Sequence, residues 1–184
     1  MRIINTPIKD CLVIESEVFR DQRGFFQETF HREKYHFLSK EINFVQDNLS
    51  MSKKNVLRGI HFQKKYPQGK LVRVVKGSVL DIAIDLRPHS ESLGKYFSIN
   101  LSDNNNYQLW IPEGFGHAFL SLEEGTILEY KCTDFYKPED EECIIWNDKT
   151  LNIDWSISNE PNISEKDLKG ITFKNYLNYI NGQK

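Results

Sequence analysis

Three short stretches of this sequence carry side chains that can transfer protons, within segments that otherwise resemble β-strands. His61 lies in the segment RGIHFQ, His117 ends the turn-rich segment PEGFGH, and Tyr130 begins YKCT. Imidazole is the side chain whose ordinary pKa lies nearest to neutrality, and a phenol can donate a proton to a strong base. These stretches are therefore candidates for a site of acid–base chemistry.

Each of these residues also has a purely structural interpretation. Alternation with a period of two puts Ile60 and Phe62 on one face of a strand and His61 on the other, so that His61 points into a barrel if the aliphatic face packs outward. A histidine with satisfied hydrogen bonds in the core explains the same pattern. His117 also fits a surface turn, and a buried Tyr130 is more often a packing residue than a catalytic one.

The apolar residues recur with a period of two, which is typical of β-strands. In Val79–Leu86 (VLDIAIDL), leucine and isoleucine occupy every second position, which predicts a strand with one buried face. The preceding run, Lys70–Val75 (KLVRVV), is joined to it by Lys-Gly-Ser, which predicts a β-hairpin. In isolation, the charge of Lys70 is best explained as solvated on an edge strand. Eight further runs predict strands: Leu12–Phe19, Gly24–Phe30, Val56–Phe62, Tyr96–Leu101, Tyr107–Ile111, His117–Ser121, Thr126–Thr133 and Cys143–Trp146.

Helical signals are confined to the ends of the chain. His31–Glu41 (HREKYHFLSKE) predicts a surface helix, and Ser164 is a suitable N-cap for a short helix with Asp167 at its third position. The last ten residues predict a short helix or a mobile tail. Many short strands with turn residues between them predict an all-β jelly-roll barrel or sandwich with short peripheral helices. The mouth of such a barrel is a common place for a small-molecule pocket.

Length and composition limit the classes of function. The chain has 184 residues, with 24 Lys plus Arg against 26 Asp plus Glu and a net charge of −2. This length predicts one domain over residues 1–184, and the charge balance argues against a nucleic-acid or anionic-membrane binder. Three cysteines fit neither a disulfide framework nor a zinc site. Without a signal peptide or a long apolar stretch, the sequence predicts a cytoplasmic protein.

Nine short motifs extend the three stretches over almost the whole chain. They are DQRGFFQETF, QDNLS, VLRGIHFQ, GKLV, GSVLD, DLR, PEGFGHAF, YKCT and SEKD, in this order from Asp21 to Asp167. Together they resemble the dTDP-4-dehydrorhamnose 3,5-epimerase family, which has a cupin-type jelly-roll fold. The ordered set is far more specific than any one of its motifs.

The resemblance implies an isomerase that inverts C3 and C5 of dTDP-4-dehydro-6-deoxy-D-glucose to give dTDP-4-dehydro-L-rhamnose. Both carbons adjoin the C4 ketone, so their hydrogens are acidic enough to be removed without a redox cofactor. Inversion needs a base on one face of the ring, an acid on the other and a donor to the enolate oxygen. By resemblance, His61 is the base with Asp167 as its partner, Tyr130 is the acid, and Lys70 lies beside the developing O4 anion.

The resemblance also implies a set of residues that bind the substrate. They are Arg23, Glu28, Gln46, Asn48, Arg58, Lys70, His117, Glu141 and Lys166. Arginine forks match the geometry of a diphosphate. Convergence of Arg23, Arg58, Lys70 and Lys166 would explain how a chain of net charge −2 binds a dianion.

Neither a metal nor a cofactor is implied. Metal-dependent cupins carry a His-x-His pair in the first motif, whereas this chain has His61-Phe62-Gln63, and an amide is a poor replacement for an imidazole ligand. The resemblance further implies a homodimer with exchanged N-terminal strands, in which Arg23 and Glu28 serve the neighbouring subunit. An ordinary hairpin within its own barrel is the alternative.

Three other functions stay open at this point. The first is a single-carbon (C3 or C5) epimerase of a related nucleotide-linked 4-keto sugar. The second is a cupin-type sugar 3,4-ketoisomerase, which would move the carbonyl; an acid opposite the base argues against it. The third is a non-catalytic sugar-nucleotide binding module, which the complete set of base, acid and anion-stabilising residues argues against.

Overall fold

The computed structural model describes residues 1–39 and 41–182. Within these residues it contains thirteen strands and two short helices. Their bounds are β1 Arg2–Asn5, β2 Leu12–Glu15, β3 Val18–Asp21, β4 Gly24–Gln27, β5 Gln46–Ser52, β6 Leu57–Gln63, β7 Lys70–Lys76, β8 Ser78–Asp85, β9 Tyr96–Ser102, β10 Tyr107–Ile111, β11 Phe115–Ser121, β12 Thr126–Cys132, β13 Glu141–Cys143, α1 Glu165–Leu168 and α2 Phe173–Asn181. Neither helix in this part of the chain is long and apolar enough to cross a bilayer.

Eleven of the strands form two antiparallel sheets that pack face to face. The larger sheet has the order β1-β2-β10-β7-β12-β5, and the smaller sheet has the order β13-β6-β11-β8-β9. Strands β3 and β4 form a separate hairpin. The predicted all-β architecture with short helices at the periphery is confirmed.

Hydrophobic side chains form one cluster between the sheets and one on the outer side of each. The inner cluster joins Val72 and Leu109 of the larger sheet to Val79 and Ala83 of the smaller sheet. The C-terminal segment, including α2, packs on the outer face of the smaller sheet. Both faces of β8 are therefore buried, whereas its alternation predicted one, because the C-terminal segment covers the second face.

The hairpin predicted between Lys70–Val75 and Val79–Leu86 is wrong. Strand β7 pairs with β10 and β12, while β8 pairs with β9 and β11. Gly77, with φ of +79°, turns the chain from one sheet to the other, and a Cβ there would lie 2.6 Å from Thr126 Oγ1. Strand β7 is consequently central in its sheet, so Lys70 does not lie on an edge.

The helix predicted over His31–Glu41 does not form. The middle of this segment makes consecutive turns, with the Tyr35 N–H donating to His31 O at 3.0 Å. Tyr35 is buried, and its hydroxyl donates to Gln108 Oε1 at 2.8 Å. This tertiary anchor outweighs the helix propensity of the segment. Lys40 lies outside the described residues.

The C-terminal helices form as predicted. Ser164 caps α1, its Oγ accepting from the Asp167 N–H at 3.1 Å. The last ten residues contain most of α2, which ends at Asn181, and residues 183–184 lie outside the described part.

Most predicted strands form with shifted ends. Leu12–Phe19 is divided between β2 and β3, and Cys143–Trp146 contributes one residue to β13. Strands β1 and β5 have no counterpart among the predictions.

Candidate active site

A cavity of about 320 Å³ opens between the two sheets. The smaller sheet contributes His61 and His117, and the larger sheet contributes Lys70 and Tyr130. The other lining residues are Gln46, Asn48, Ser50, Arg58, Gln68, Phe119, Tyr136 and Glu141. The volume fits a small-molecule site. Eight residues predicted for the site line this one cavity: Gln46, Asn48, Arg58, His61, Lys70, His117, Tyr130 and Glu141.

Strand register explains why residues far apart in sequence meet here. His61 on β6 is the direct cross-strand partner of His117 on β11. Tyr130 on β12 is the partner of Asn48 on β5. Directly opposed residues point to the same face of a sheet, so each pair faces the cavity together.

Strand β5 is the cavity wall that the sequence did not predict. Gln46, Asn48 and Ser50 line the cavity, while the alternate residues Asp47, Leu49 and Met51 are exposed. The strand therefore carries only polar residues inward and two of its apolar residues outward, unlike an ordinary half-buried strand. The motif QDNLS was the available signal.

His61 is held by a buried carboxylate. Its Nε2 lies 2.7 Å from Oδ1 of Asp167, and Oδ2 of Asp167 accepts the Gly59 N–H at 3.1 Å. Burial raises the pKa of Asp167, but the hydrogen bonds and charge of His61 and the Gly59 N–H lower it more, so the pKa lies below its ordinary value. Asp167 is thus ionised near neutral pH. Among the described residues, Nδ1 of His61 has no hydrogen-bond partner and is free to meet a ligand.

Tyr130 and Lys70 lie side by side on the opposite sheet. The Lys70 Nζ is 5.8 Å from the centre of the Tyr130 ring. Burial raises the pKa of Tyr130 to about 12, so its hydroxyl remains protonated.

The Lys70 ammonium has no carboxylate partner in the described part of the chain. It is only 9% exposed, and burial lowers its pKa, an effect that Cys132 and Glu141 partly offset. A buried cation without a partner is costly. An anion entering the cavity would therefore be strongly attracted to Lys70.

A second histidine–carboxylate pair adjoins Tyr130. Nε2 of His117 lies 3.0 Å from both carboxylate oxygens of Asp81, which is fully buried. The His117 ring centre is 6.3 Å from that of Tyr130. Sequence reasoning missed Asp81, although an aspartate among the apolar residues of β8 was the signal for it. The carboxylate fixes the orientation of the imidazole.

The rim of the cavity is organised around Glu141. Lys166 Nζ and the Tyr136 hydroxyl both donate to Oε2 of Glu141, the latter at 2.8 Å. Burial raises the pKa of Glu141, but these two hydrogen bonds lower it by more, so the pKa lies below its ordinary value. The hydrogen bond to Glu141 also raises the pKa of Lys166. Across the rim, Arg58 donates to Ser52 Oγ at 3.2 Å. Tyr136, which is 44% exposed, was not among the predicted site residues.

Comparison with known proteins identifies the family of the chain. The sequence profile of the dTDP-4-dehydrorhamnose 3,5-epimerase family matches residues 5–175. The chain belongs to this family. It is 48% identical over 174 residues to the dTDP-4-dehydrorhamnose 3,5-epimerase of Escherichia coli K12, which covers 94% of each chain. The resemblance inferred from the nine motifs is confirmed.

Solved structures of epimerases superpose closely on the fold. A dTDP-6-deoxy-D-glucose-3,5-epimerase from Legionella pneumophila, in complex with dTDP-4-keto-L-rhamnose, has a TM-score of 0.92 and 42% identity, over 99% of this chain and 95% of that chain. A 3'-monoepimerase from Streptomyces bikiniensis, in complex with dTDP-quinovose, has a TM-score of 0.87 and 29% identity, over 92% and 86%. The cupin-type jelly-roll prediction is confirmed.

Two residues expected of a family member lie away from the cavity in this protomer. Arg23 lies in the β3–β4 hairpin, where it pairs with Asp21 at 2.5 Å and lines a separate depression. Glu28 pairs with Lys34 at 2.7 Å. Within a single chain, Arg58 and Lys70 line the cavity, Lys166 lies at its rim, and Arg23 lies elsewhere, so the convergence of all four cations stays a prediction for a dimer.

A larger depression of about 660 Å³ lies elsewhere on the surface, beside Arg87. Arg87 is already paired with Asp85 at 2.7 Å and with Asp10 at 2.8 Å. The residues that line this depression include no counterpart of the His61–Asp167 pair. The smaller cavity is thus the candidate active site.

One group of metal-ligating side chains comes together within the described residues. Ligand atoms of His61, Cys143 and Asp167 lie within 4.8 Å of one another. His61 and Asp167 already bond to each other, and burial raises the pKa of Cys143 to about 12, which opposes the thiolate form that binds metals. The side chain of Gln63 bonds to backbone groups of two loops. A metal-free site stays a prediction.

Proposed function

We propose that this epimerase family member inverts C3 and C5 of dTDP-4-dehydro-6-deoxy-D-glucose to give dTDP-4-dehydro-L-rhamnose. The observation that carries the proposal is the division of proton-transfer groups between the two sheets. His61, backed by Asp167, belongs to one side of the cavity, and Tyr130 with Lys70 belongs to the other. The dTDP-4-keto-L-rhamnose bound by the Legionella relative is the product that this reaction would form, which supports the proposal.

In the proposed reaction, Nδ1 of His61 takes the proton from a carbon next to the ketone. The C–H electron pair forms the enolate double bond, and negative charge moves to O4, beside the unpartnered ammonium of Lys70. The ionised Asp167 stabilises the imidazolium that results. Tyr130 then protonates the carbon from the opposite face, which inverts the centre. Its pKa of about 12 keeps the proton in place until the basic enolate has formed.

The rim is suited to the nucleotide part of the substrate. Arg58 offers a guanidinium fork for the diphosphate, and Lys166 adds a second cation beside Glu141. Tyr136 presents a half-exposed aromatic ring on which a base can stack. Inside, Gln46 and Asn48 supply amides for the sugar hydroxyls.

We further propose a homodimer with exchanged N-terminal strands. The β3–β4 hairpin belongs to neither sheet and exposes 63% of Phe25 and 68% of Phe26. A lone two-stranded hairpin is marginally stable in water. Strand β5 is an edge strand with Leu49 65% exposed, and a partner's hairpin would cover it. Arg23 and Glu28 would then reach the partner's cavity.

The remaining proposals concern the setting of the enzyme. We propose one domain over residues 1–184, which the family match over residues 5–175 supports. Three buried free cysteines support a reducing compartment, the cytoplasm. The acidity of hydrogens beside a ketone supports chemistry without metal or cofactor.

The experiment that tests the function follows the reaction of dTDP-4-dehydro-6-deoxy-D-glucose by NMR in D₂O. We expect deuterium at both C3 and C5 of a product with both centres inverted. Tyr130→Phe should still exchange hydrogen for deuterium through His61 but invert about 10²–10⁴-fold more slowly. His61→Ala should lose exchange and inversion together.

Other outcomes identify the competing functions. Deuterium at a single carbon would replace this proposal with single-carbon epimerisation, the activity named for the Streptomyces bikiniensis relative. A carbonyl at C3 would identify a ketoisomerase. Tight binding of the nucleotide sugar with no exchange would identify a binding module.

A further inference from the structure

We propose that Gln63 is a positioning residue that fixes Tyr136 at the rim of the cavity. Gln63 is buried, and its Nε2 donates to Tyr66 O at 2.6 Å and to Phe135 O at 3.2 Å. Its Oε1 accepts from the Lys137 N–H at 2.7 Å. The proposal rests on the proposed function only in taking the rim as the place where the nucleotide binds.

The hydrogen bonds of Gln63 bracket Tyr136 in the chain. The Phe135 carbonyl and the Lys137 N–H are the peptide groups on the two sides of Tyr136, and one side chain holds both. The Tyr136 N–H donates to Gln46 Oε1 at 2.8 Å. Residues 133–140 connect β12 to β13 without strand pairing of their own. These side-chain bonds therefore determine the course of the backbone at Tyr136.

Gln63 itself does not line the cavity, whereas Tyr136 does. Gln63 therefore acts on a bound nucleotide only through its neighbours, and its hydrogen bonds on both sides of Tyr136 make Tyr136 the proposed one. Gln63 also lies two residues after His61 on β6, so the strand that carries the proposed base also holds the rim. Where metal-dependent cupins have a second histidine, this chain uses an amide for loop attachment.

The test uses two substitutions of similar size and measures binding of dTDP by calorimetry. Gln63→Met removes all three hydrogen bonds, and Gln63→Glu keeps an acceptor but loses the donations to Tyr66 and Phe135. We expect both to weaken dTDP binding and raise KM about 10-fold, the loss typical of one well-placed aromatic contact. We expect kcat to stay within about twofold, since His61, Tyr130 and Lys70 keep their own contacts.

A double-mutant cycle separates positioning from general destabilisation. If Gln63 acts through Tyr136, the double variant Gln63→Met/Tyr136→Ala binds dTDP no more weakly than Tyr136→Ala alone. The matched control is Asp148→Asn. Asp148 is also buried and accepts three backbone N–H groups at 2.9–3.0 Å, but it does not line the cavity. The control should lower Tm without changing KM.

Hydrogen exchange tests the attachment without any ligand. Amide exchange at residues 135–137 should accelerate in Gln63→Met and not in Asp148→Asn. Unchanged exchange there, unchanged dTDP affinity in either folded Gln63 variant, or additive losses in the double variant would each overturn the proposal. If exchange accelerates as expected but the folded wild-type protein does not bind dTDP, Gln63 holds the loop and the proposed function fails instead.

Discussion

Asp167 connects the stability of the molecule to its proposed chemistry at the scale of a single residue. It is buried, ionised, and bonded both to His61 and to the backbone of β6. Its folded-state pKa lies below the ordinary value of 3.8, so folding favours the charged carboxylate. The carboxylate therefore adds its full stability at pH values above the pKa of Asp167 in the unfolded chain. This contribution disappears as the pH falls through the folded-state pKa.

Asp167→Asn should show this linkage directly. At pH 7 we expect the variant to lose about 1–3 kcal/mol of unfolding free energy, the usual value for a hydrogen bond to a buried charge. The difference from wild type should shrink as the pH falls from about 4 through the folded-state pKa, because Asp167 becomes protonated first in the unfolded chain and then in the folded protein. Urea denaturation of both proteins at a series of pH values measures this difference in unfolding free energy.

Glu165→Gln, on the same helix, is the control. The Glu165 side chain is 92% exposed, so this substitution should change stability by less than about 0.5 kcal/mol. A pH-independent difference between Asp167→Asn and wild type would contradict the assignment of a charged Asp167.

Site residues that belong to the sequence motifs were predicted well. His61, Lys70 and Tyr130 were predicted from the motifs and line one cavity. Asp81 was missed although its place among the apolar residues of β8 was a signal, and Tyr136 was missed because its role depends on a loop course that no local pattern encodes.

At the scale of elements, a glycine allows strands β6 and β11 to lie close together at the site. The pairing of β6 with β11 shifts register between His117 and Phe119. Gly59, on β6, has φ of +102°, and a Cβ there would lie 3.0 Å from the Ala118 Cα and still closer to the His117 carbonyl oxygen. Both are backbone atoms, which cannot move aside locally. A side chain at Gly59 would therefore separate the strands that carry both histidines.

We expect Gly59→Ala to lower unfolding free energy by about 2–4 kcal/mol, from backbone strain together with the clash. Thermal and urea denaturation measure this loss. The matched comparison is Gly125→Ala, where φ is +67° but a Cβ would meet nothing within 4 Å. Gly125→Ala should show the strain alone, about 1 kcal/mol. Equal losses at the two glycines would show that the close approach at Gly59 has no energetic weight.

Elements with a strong period of two were predictable, and those fixed by tertiary contacts were not. Strands β7 and β8 were predicted in place, but their hairpin was wrong because a short glycine turn also serves as a crossing between sheets. Residues 31–41 have the composition of a helix, yet residues 32–38 form turns around buried Tyr35. Strand β5 escaped prediction because its inward face is polar.

At the scale of the whole molecule, the proposed dimer determines which subunit's cavity Arg23 reaches. If the hairpin crosses to the partner, each cavity combines His61 of one subunit with Arg23 of the other. Two defective subunits can then repair one another in a mixed dimer, as closed two-fold symmetry requires.

Mixing Arg23→Ala with His61→Ala should restore activity after denaturation and refolding together. Half of the dimers would be mixed, and one of their two cavities would be complete, so about one quarter of the wild-type sites should be active. Light scattering should report the mass of two chains. If activity does not recover on mixing, Arg23 does not act in the partner's cavity, and the exchange of the hairpin is contradicted.

The two proposed proton-transfer groups, His61 and Tyr130, are mounted on different sheets. The distance between the two sheets is consequently set by the side chains packed between them, Ala83 and Val72 among them. Because the core between the sheets is close-packed, a substitution there that changes side-chain volume would also change the distance between His61 and Tyr130.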